Sequence, residues 1–341
     1  MLLKAPILLV IWTFASSFLI VDAFVASIRR YNYQYFYMSA DKNAVPSLLT
    51  FQDPSTGILV KIVGSMHYNP ASIRLAESTV EELALKNELS SVIVESCPKR
   101  WEKMKLMQHD GSLLKDILRN EMQAASEMAD RYGLPTVLGD QEIELTNVRI
   151  IKTFKETVLD IVNPKSGWTH LYGNLSQSVD DCLPSGSQYL TAKDFFHLEL
   201  IAGAPISLIR YPLAILIKSP LAGLALISLF TYPYFMMSEA DPGFGAESLT
   251  VADRSMDVII CLLLSMLELL ILGRVFLVAL LAERNEVLAA AIQSECRRAL
   301  VELPDEVAPR SAVVAVLGMA HCNGVMKLLL RGWAWRQRVE R

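Results

Sequence analysis

The chain has 341 residues, enough for about two domains of ordinary size or one large one. Hydrophobic residues make up 52% of it, charged residues 20%, and mean hydropathy is +0.32, which excludes a disordered or collagen-like chain and points to lipid contact. With 32 Lys and Arg against 36 Asp and Glu the net charge is -4, too acidic for a protein that tracks phosphates, so nucleic acid is not an expected partner.

Lys4 precedes an apolar run, Ala5 to Val21, and the small residues Val21 and Ala23 suit a cleavage site that leaves Phe24 first. Phe24 to Ala40 carries two arginines and no acid. This layout resembles the bipartite plastid-targeting leaders of algae with secondary plastids; an uncleaved signal anchor or a plain secretory signal reads equally well. Residues 1–45 are therefore expected to be a targeting leader or anchor.

From residue 46 to 197 apolar runs alternate with amphipathic stretches, which predicts an α/β domain with a mainly parallel sheet and flanking helices. A strand is expected at Ile58–Val63, closed by Gly64, and His67 follows it. Asn69-Pro70 then starts a helix whose inward face is Ile73, Ala76, Val80 and Leu83. Val92-Ile93-Val94 is a second strand, and Glu95 comes directly after it. Ser112 to Tyr132 reads as one long helix, Thr136–Gly139 as a third strand followed by Asp140, and Thr146–Val162 as a helix with Arg149 in its first turn. Residues 163–192, rich in Asn, Ser, Gly and Asp, read as an exposed connection.

Residues 198–282 are expected to form a hydrophobic helical insertion. The uncharged stretch Ser219–Ser238 is long enough to span a bilayer; Val258–Ala282 is interrupted by Glu268 and Arg274. Between them Glu239–Asp257 carries five acids and one base, and acids in the loop with bases outside fit a membrane hairpin. Two buried helices packed on the sheet, or in a homo-oligomer, remain the alternative. Residues 283–341 complete the α/β domain, with a helix stopped by Pro304, a strand at Ala312–Leu317, Gly318, and then His321.

Gly64-Ser65-Met66-His67 and Gly318-Met319-Ala320-His321 have one form, strand then glycine then histidine, 254 residues apart. Ligands in open α/β sheets bind beyond the carboxyl ends of the strands, and four predicted strands bring His67, Glu95, Asp140 and His321 there. Two imidazoles and one or two carboxylates are a ligand set for a divalent metal, with room for water as nucleophile. The two glycines are expected to let the backbone turn sharply. Glu95 is either a ligand or a general base. Cys322 is assigned to packing. The five cysteines include no Cys-x-x-Cys pair, and phosphate-binding loop, nucleophile-elbow and His-Glu-x-x-His patterns are missing, so kinase, serine-hydrolase and zincin chemistries have no support.

Together, Val63–His67, Val92–Cys97, Leu138–Thr146 with Arg149, Glu283–Asn285 and Val316–Val325 resemble the TraB/PrgY/GumN family, which includes the Tiki proteases. The likeness covers residues 58–330. Tiki members are Mn- or Co-dependent proteases that clip the amino-terminal region of Wnt ligands; TraB and PrgY members are membrane proteins that limit peptide-pheromone activity. The resemblance implies a site in which His67, Glu95 and His321 hold the metal (Mn, Co or Zn), with Arg149 and Arg284 as substrate or oxyanion binders; Arg284 reads equally well as a structural ion-pair partner of Asp140 or Glu95. Gln141 departs from it, since many members carry Arg there. The expected function is a membrane-associated metal-dependent hydrolase acting on a peptide or protein; the alternative is a non-catalytic membrane protein that sequesters a peptide or factor on the same fold.

Overall fold

The computed structural model describes residues 47–163, 165–221, 223–224, 228, 263, 265–302 and 311–331. The expected leader, most of Ser219–Ser238 and the acidic loop Glu239–Asp257 lie outside the described residues.

Five strands form one mixed, mostly parallel sheet: β1 (Leu48–Gln52), β2 (Leu59–Ser65), β3 (Leu89–Val94), β4 (Thr136–Leu138) and β5 (Ala312–Gly318). Their order is β1-β2-β5-β3-β4. β1 runs antiparallel to β2 and the other neighbours are parallel. β5 takes the centre because all seven of its residues are buried and none but glycine and small or branched apolar side chains occurs in it, the composition of a strand covered on both faces. Its partners β2 and β3 precede the apolar insertion, so the two parts of the chain on either side of that insertion complete a single sheet.

Helices cover both faces. On one side lie α1 (Pro70–Leu85) and α4 (Glu121–Arg131), whose Ala76, Val80, Leu83, Ala125 and Met128 pack on Val92, Val94, Val314 and Val316. On the other, α9 (Glu283–Glu302) and α10 (Met319–Leu330) set Leu288, Ile292, Cys296, Val325 and Leu329 against Val60, Ile62, Ile93 and Ala315. Each such side chain contributes about 1.5–3 kcal/mol on burial.

Two stretches differ from the sequence expectation. Ser112–Tyr132 is two helices, α3 (Leu113–Leu118) and α4, because Asn120 accepts the Gln123 N–H at 2.9 Å and starts a new helix. The stretch read as a connection holds α6 (Ser166–Cys182), which packs beside α5 (Ile143–Val162) with Leu171 buried. Between β3 and α3 lies α2 (Pro98–Met107), and after α6 come the single turn α7 (Ala192–Phe195) and α8 (Leu198–Lys218).

α8 and the continuous helix Ser265–Glu302 are each long and apolar enough to cross a membrane. The latter has a π-helical segment, Val275–Ala282, before it becomes α9. Arg274, which interrupts its apolar run, is 1% exposed and donates to Asp160 on α5 at 2.6 Å, so this charge faces protein. Leu208 on α8 and Met266 and Leu269 on the long helix are exposed.

Candidate functional site

The carboxyl ends of β2, β3, β4 and β5 deliver His67, Glu95, Asp140 and His321 to one place. α9 adds Arg284. Its guanidinium contacts Glu95 Oε1 through Nη2, and meets Asp140 through Nε at 2.8 Å and Nη2 at 2.6 Å. Arg100, in the first turn of α2, contacts the same Asp140, whose Oδ1 also accepts the Gln141 N–H at 2.7 Å. Gln141 brings no charge to this corner; Arg100 supplies the second cation. Both Asp140 oxygens are thus engaged, as are both Glu95 oxygens, and His67, Glu95 and His321 face one another next to this ion pair.

Each imidazole is oriented by a second group. His67 Nδ1 lies 2.6 Å from Glu121 Oε1, a carboxylate buried at the start of α4 that also accepts the Ser65 hydroxyl at 3.1 Å and the Tyr68 N–H at 3.2 Å. His321 Nδ1 lies 2.6 Å from Asn285 Oδ1 on α9. With Nδ1 engaged in each case, Nε2 is the nitrogen that each ring turns toward the site. His321 Nε2 is 3.3 Å from Glu95 Oε1, and the Gly318 N–H donates to Glu95 Oε2 at 2.6 Å.

The space between these groups depends on Gly318. A Cβ there would stand 3.3 Å from Glu95 Oε2 and 3.4 Å from His67 Nε2. The glycine serves by lacking that atom and not by a sharp turn, for its φ is -58°. Near the first motif the left-handed conformation falls on Tyr68, at φ 63°, which is unusual for a bulky residue.

Electrostatics follow from the packing. Burial would push the Glu95 carboxyl up, but the His321 ring, Arg284 and His67 outweigh it and hold it well below the usual carboxylate range. Burial would push the His67 ring down; the Glu121 carboxylate in contact, with Glu95 behind it, raises it instead from 6.5 to about 9. Burial also pushes the Cys322 thiol upward, and the side chain is fully buried in the core, as expected of a packing residue.

Among the described residues no three His, Cys, Asp or Glu side chains are gathered closely enough to form a ready cation cage. The donor chemistry nevertheless fits a divalent ion: two oriented imidazoles, one ionised carboxylate, and a gap that a single methyl group would fill.

No protein-family model matches this chain, and no curated protein does either.

Arg149 is not part of the cluster. It sits on α5, is 47% exposed, and pairs with Glu283 at 3.2 Å. Three residues of the site were not singled out from the sequence. Glu121 was hidden by reading α3 and α4 as one helix, although Asn120 with Gln123 three positions on is a helix-start signal. Asn285 adjoins Arg284 but had no assigned role. Tyr211 lies in the apolar insertion, and its ring stacks on His67 with centroids 6.1 Å apart and planes 5° from parallel.

Proposed function

We propose that this chain is a membrane-associated metal-dependent hydrolase, a peptidase of the TraB/Tiki type. The observation that carries the reading is that Glu95 stands between the two imidazoles, with His321 Nε2 3.3 Å from its Oε1 and His67 Nε2 bordering, with its Oε2, the gap left by Gly318, each imidazole being fixed through its other nitrogen. In this reading His67, His321 and Glu95 hold the metal. A divalent ion bound there supplies Lewis-acid polarisation of a carbonyl and a nucleophilic water at neutral pH. Glu121 and Asn285 keep the two rings turned toward the gap. Arg284 keeps Glu95 ionised and presents a fixed positive charge at the edge of the site, where it stabilises an oxyanion. Tyr211 stacks on the His67 ring and covers part of it.

One observation favours a second reading, a non-catalytic binding or regulatory protein on the same fold: Arg284 already neutralises both Glu95 and Asp140. Elemental analysis of the purified chain separates the two. The hydrolase reading expects near-stoichiometric Mn, Co or Zn in the wild type, lost in folded His67→Ala and His321→Ala, with peptide turnover lost alongside. Protein that stays metal-free after reconstitution, or equal turnover in wild type and His321→Ala, refutes it. Membrane attachment is supported by α8 and the helix Ser265–Glu302, with a plastid or secretory membrane as the destination implied by the leader. Release of the chain by alkaline carbonate would refute it.

A further inference from the structure

α5 and α6 pack against each other with polarity inverted relative to a water-soluble surface. The buried residues of α5 are Thr153 and Thr157, and the Thr157 hydroxyl is satisfied by the Thr153 carbonyl at 2.6 Å. Its exposed positions include Val148, Ile151, Phe154, Val158, Leu159 and Val162, residues that a helix facing water turns inward. α6 repeats the pattern: Gly167, Leu171 and Ser178 are buried, while Trp168, Tyr172 and Val179, on one face at helical spacing, are exposed. Gly167 lets the two arms meet closely, since a Cβ there would stand 2.1 Å from the Asp160 carbonyl oxygen. Small residues inside and large apolar ones outside are the pattern of helices that pack together in lipid. Two ion pairs tie this hairpin to the apolar stretch of the helix Ser265–Glu302. Arg149 pairs with Glu283 at 3.2 Å and Asp160 with Arg274 at 2.6 Å, so α5 runs antiparallel beside that stretch for about 15 Å, roughly half the hydrocarbon core of a bilayer. His170 Nδ1 of α6 lies 2.8 Å from the same Asp160 carboxylate, so the hairpin supplies the partner of the one charge that the apolar stretch carries inward.

We propose that the α5–α6 hairpin is seated in the interfacial layer of an anionic bilayer, beside the helix Ser265–Glu302, with its apolar face among the upper acyl chains. This rests on the membrane attachment proposed above and names the part of the chain outside the candidate spans that meets lipid. Two observations favour lipid as the occupant of this face. It continues alongside an apolar stretch long enough to cross a membrane, and every charged residue among the exposed positions from Val148 to Val162 is a base, Arg149, Lys152 and Lys155, whose long stems reach headgroups from an apolar surface. Arg284, which grips Glu95 and Asp140, directly follows Glu283, so this seating holds the candidate site close to the lipid surface.

Lipid contact is read as tryptophan quenching on the full chain reconstituted in phosphatidylcholine–phosphatidylglycerol vesicles. The emission added by Phe154→Trp and by Val158→Trp should be quenched when the lipid carries bromine. Bromine in the upper acyl chain should quench more than bromine near its end, because an interfacial helix lies about 5–10 Å into the headgroup–acyl boundary. Aqueous iodide should leave that emission unchanged and quench Leu85→Trp, an exposed position at the end of α1 that leads into β3, the edge of the sheet opposite the site. Iodide quenching of Phe154→Trp and Val158→Trp equal to that of Leu85→Trp overturns the proposal. Protection from both bromine and iodide overturns it too, since protein would then cover the face, whether residues 229–262 or a second copy. Should those variants not fold, the native Trp168 decides: the emission lost in Trp168→Phe should be the part that brominated lipid quenches. The span reading fails separately. Bromine quenching in a chain that alkaline carbonate releases supports the hairpin contact and removes the span, whereas resistance to carbonate without quenching removes the hairpin contact and keeps the span.

Discussion

Replacing Glu121 by Gln tests whether this buried carboxylate is what orients and charges His67. The two side chains meet at 2.6 Å, Glu121 is fully buried and the His67 side chain is 28% exposed. Raising the ring from 6.5 to about 9 corresponds to about 3 kcal/mol of preference for the imidazolium, and Glu121 is the largest favourable contributor. A folded-state value above the unfolded one gives stability that is complete below about pH 6.5 and disappears as pH rises through about 9. Glu121 shifts the other way: burial raises it, His67 in contact outweighs this, and it is held below the usual range, so its own ionisation does not vary between pH 6 and 10. Urea unfolding of the chelated protein should therefore show Glu121→Gln less stable than wild type by about 2–3 kcal/mol at pH 6 and by much less at pH 10. Metal affinity should fall by about 10–100-fold, as for other groups that orient a metal-binding imidazole. An equal stability loss at both pH values would refute the argument, because a carboxylate needed only for its hydrogen bonds to Ser65 and Tyr68 gives no such convergence.

Arg284→Gln leaves Glu95 and Asp140 facing each other with one cation removed, and should destabilise by about 3–5 kcal/mol in urea unfolding; Arg284→Lys should recover only part of this, since one ammonium cannot span both carboxylates. Gly318→Ala should change stability by about 1 kcal/mol or less, because φ -58° suits alanine. Its methyl group would occupy the gap between Glu95 and His67, so metal content by elemental analysis should drop while the unfolding midpoint holds. Asn69 accepts the Ala71 N–H at 2.9 Å at the start of α1 and donates to the Leu200 carbonyl of α8 at 2.9 Å. Asn69→Ala should cost about 2 kcal/mol from the cap and the orphaned carbonyl together and expose α8 to protease; unchanged proteolysis would mean that α8 is held elsewhere.

The strand ends were legible in the sequence because short branched apolar runs stop at a glycine or directly at a carboxylate, as at Val94-Glu95 and Leu317-Gly318. That pattern places His67, Glu95, Asp140 and His321 together without any knowledge of the order β1-β2-β5-β3-β4, while Arg284, on a helix, was picked out only through the family resemblance. What was not legible was the orienting layer. Glu121 depends on a break after Leu118 that apolar periodicity runs straight through, and Tyr211 lies in a segment whose hydropathy masks its contact with His67. α6 was missed because Gly167, Gly173 and a scatter of Ser and Asn outweighed Trp168, Leu171 and Leu175, whose spacing is helical. β1 was missed because it follows immediately on the expected leader. Each of these elements is fixed by tertiary contact, which local pattern does not encode.

The position of β5 in the sheet has a consequence for how the molecule comes into being. β2 and β3 are separated from their shared neighbour by the whole apolar insertion, so while the chain is being made each presents an unpaired inner edge until Ala312–Gly318 arrives. Pairings this distant close slowly, and open edges beside long apolar helices are prone to stray association. The segment that fills the gap also brings His321 and Gly318. If the proposed metal-dependent hydrolase reading holds, metal coordination is tied to completion of the sheet: a nascent chain with β2 and β3 already formed would hold His67 and Glu95 but no second imidazole, and hydrolytic competence would appear in one step with the closing strand.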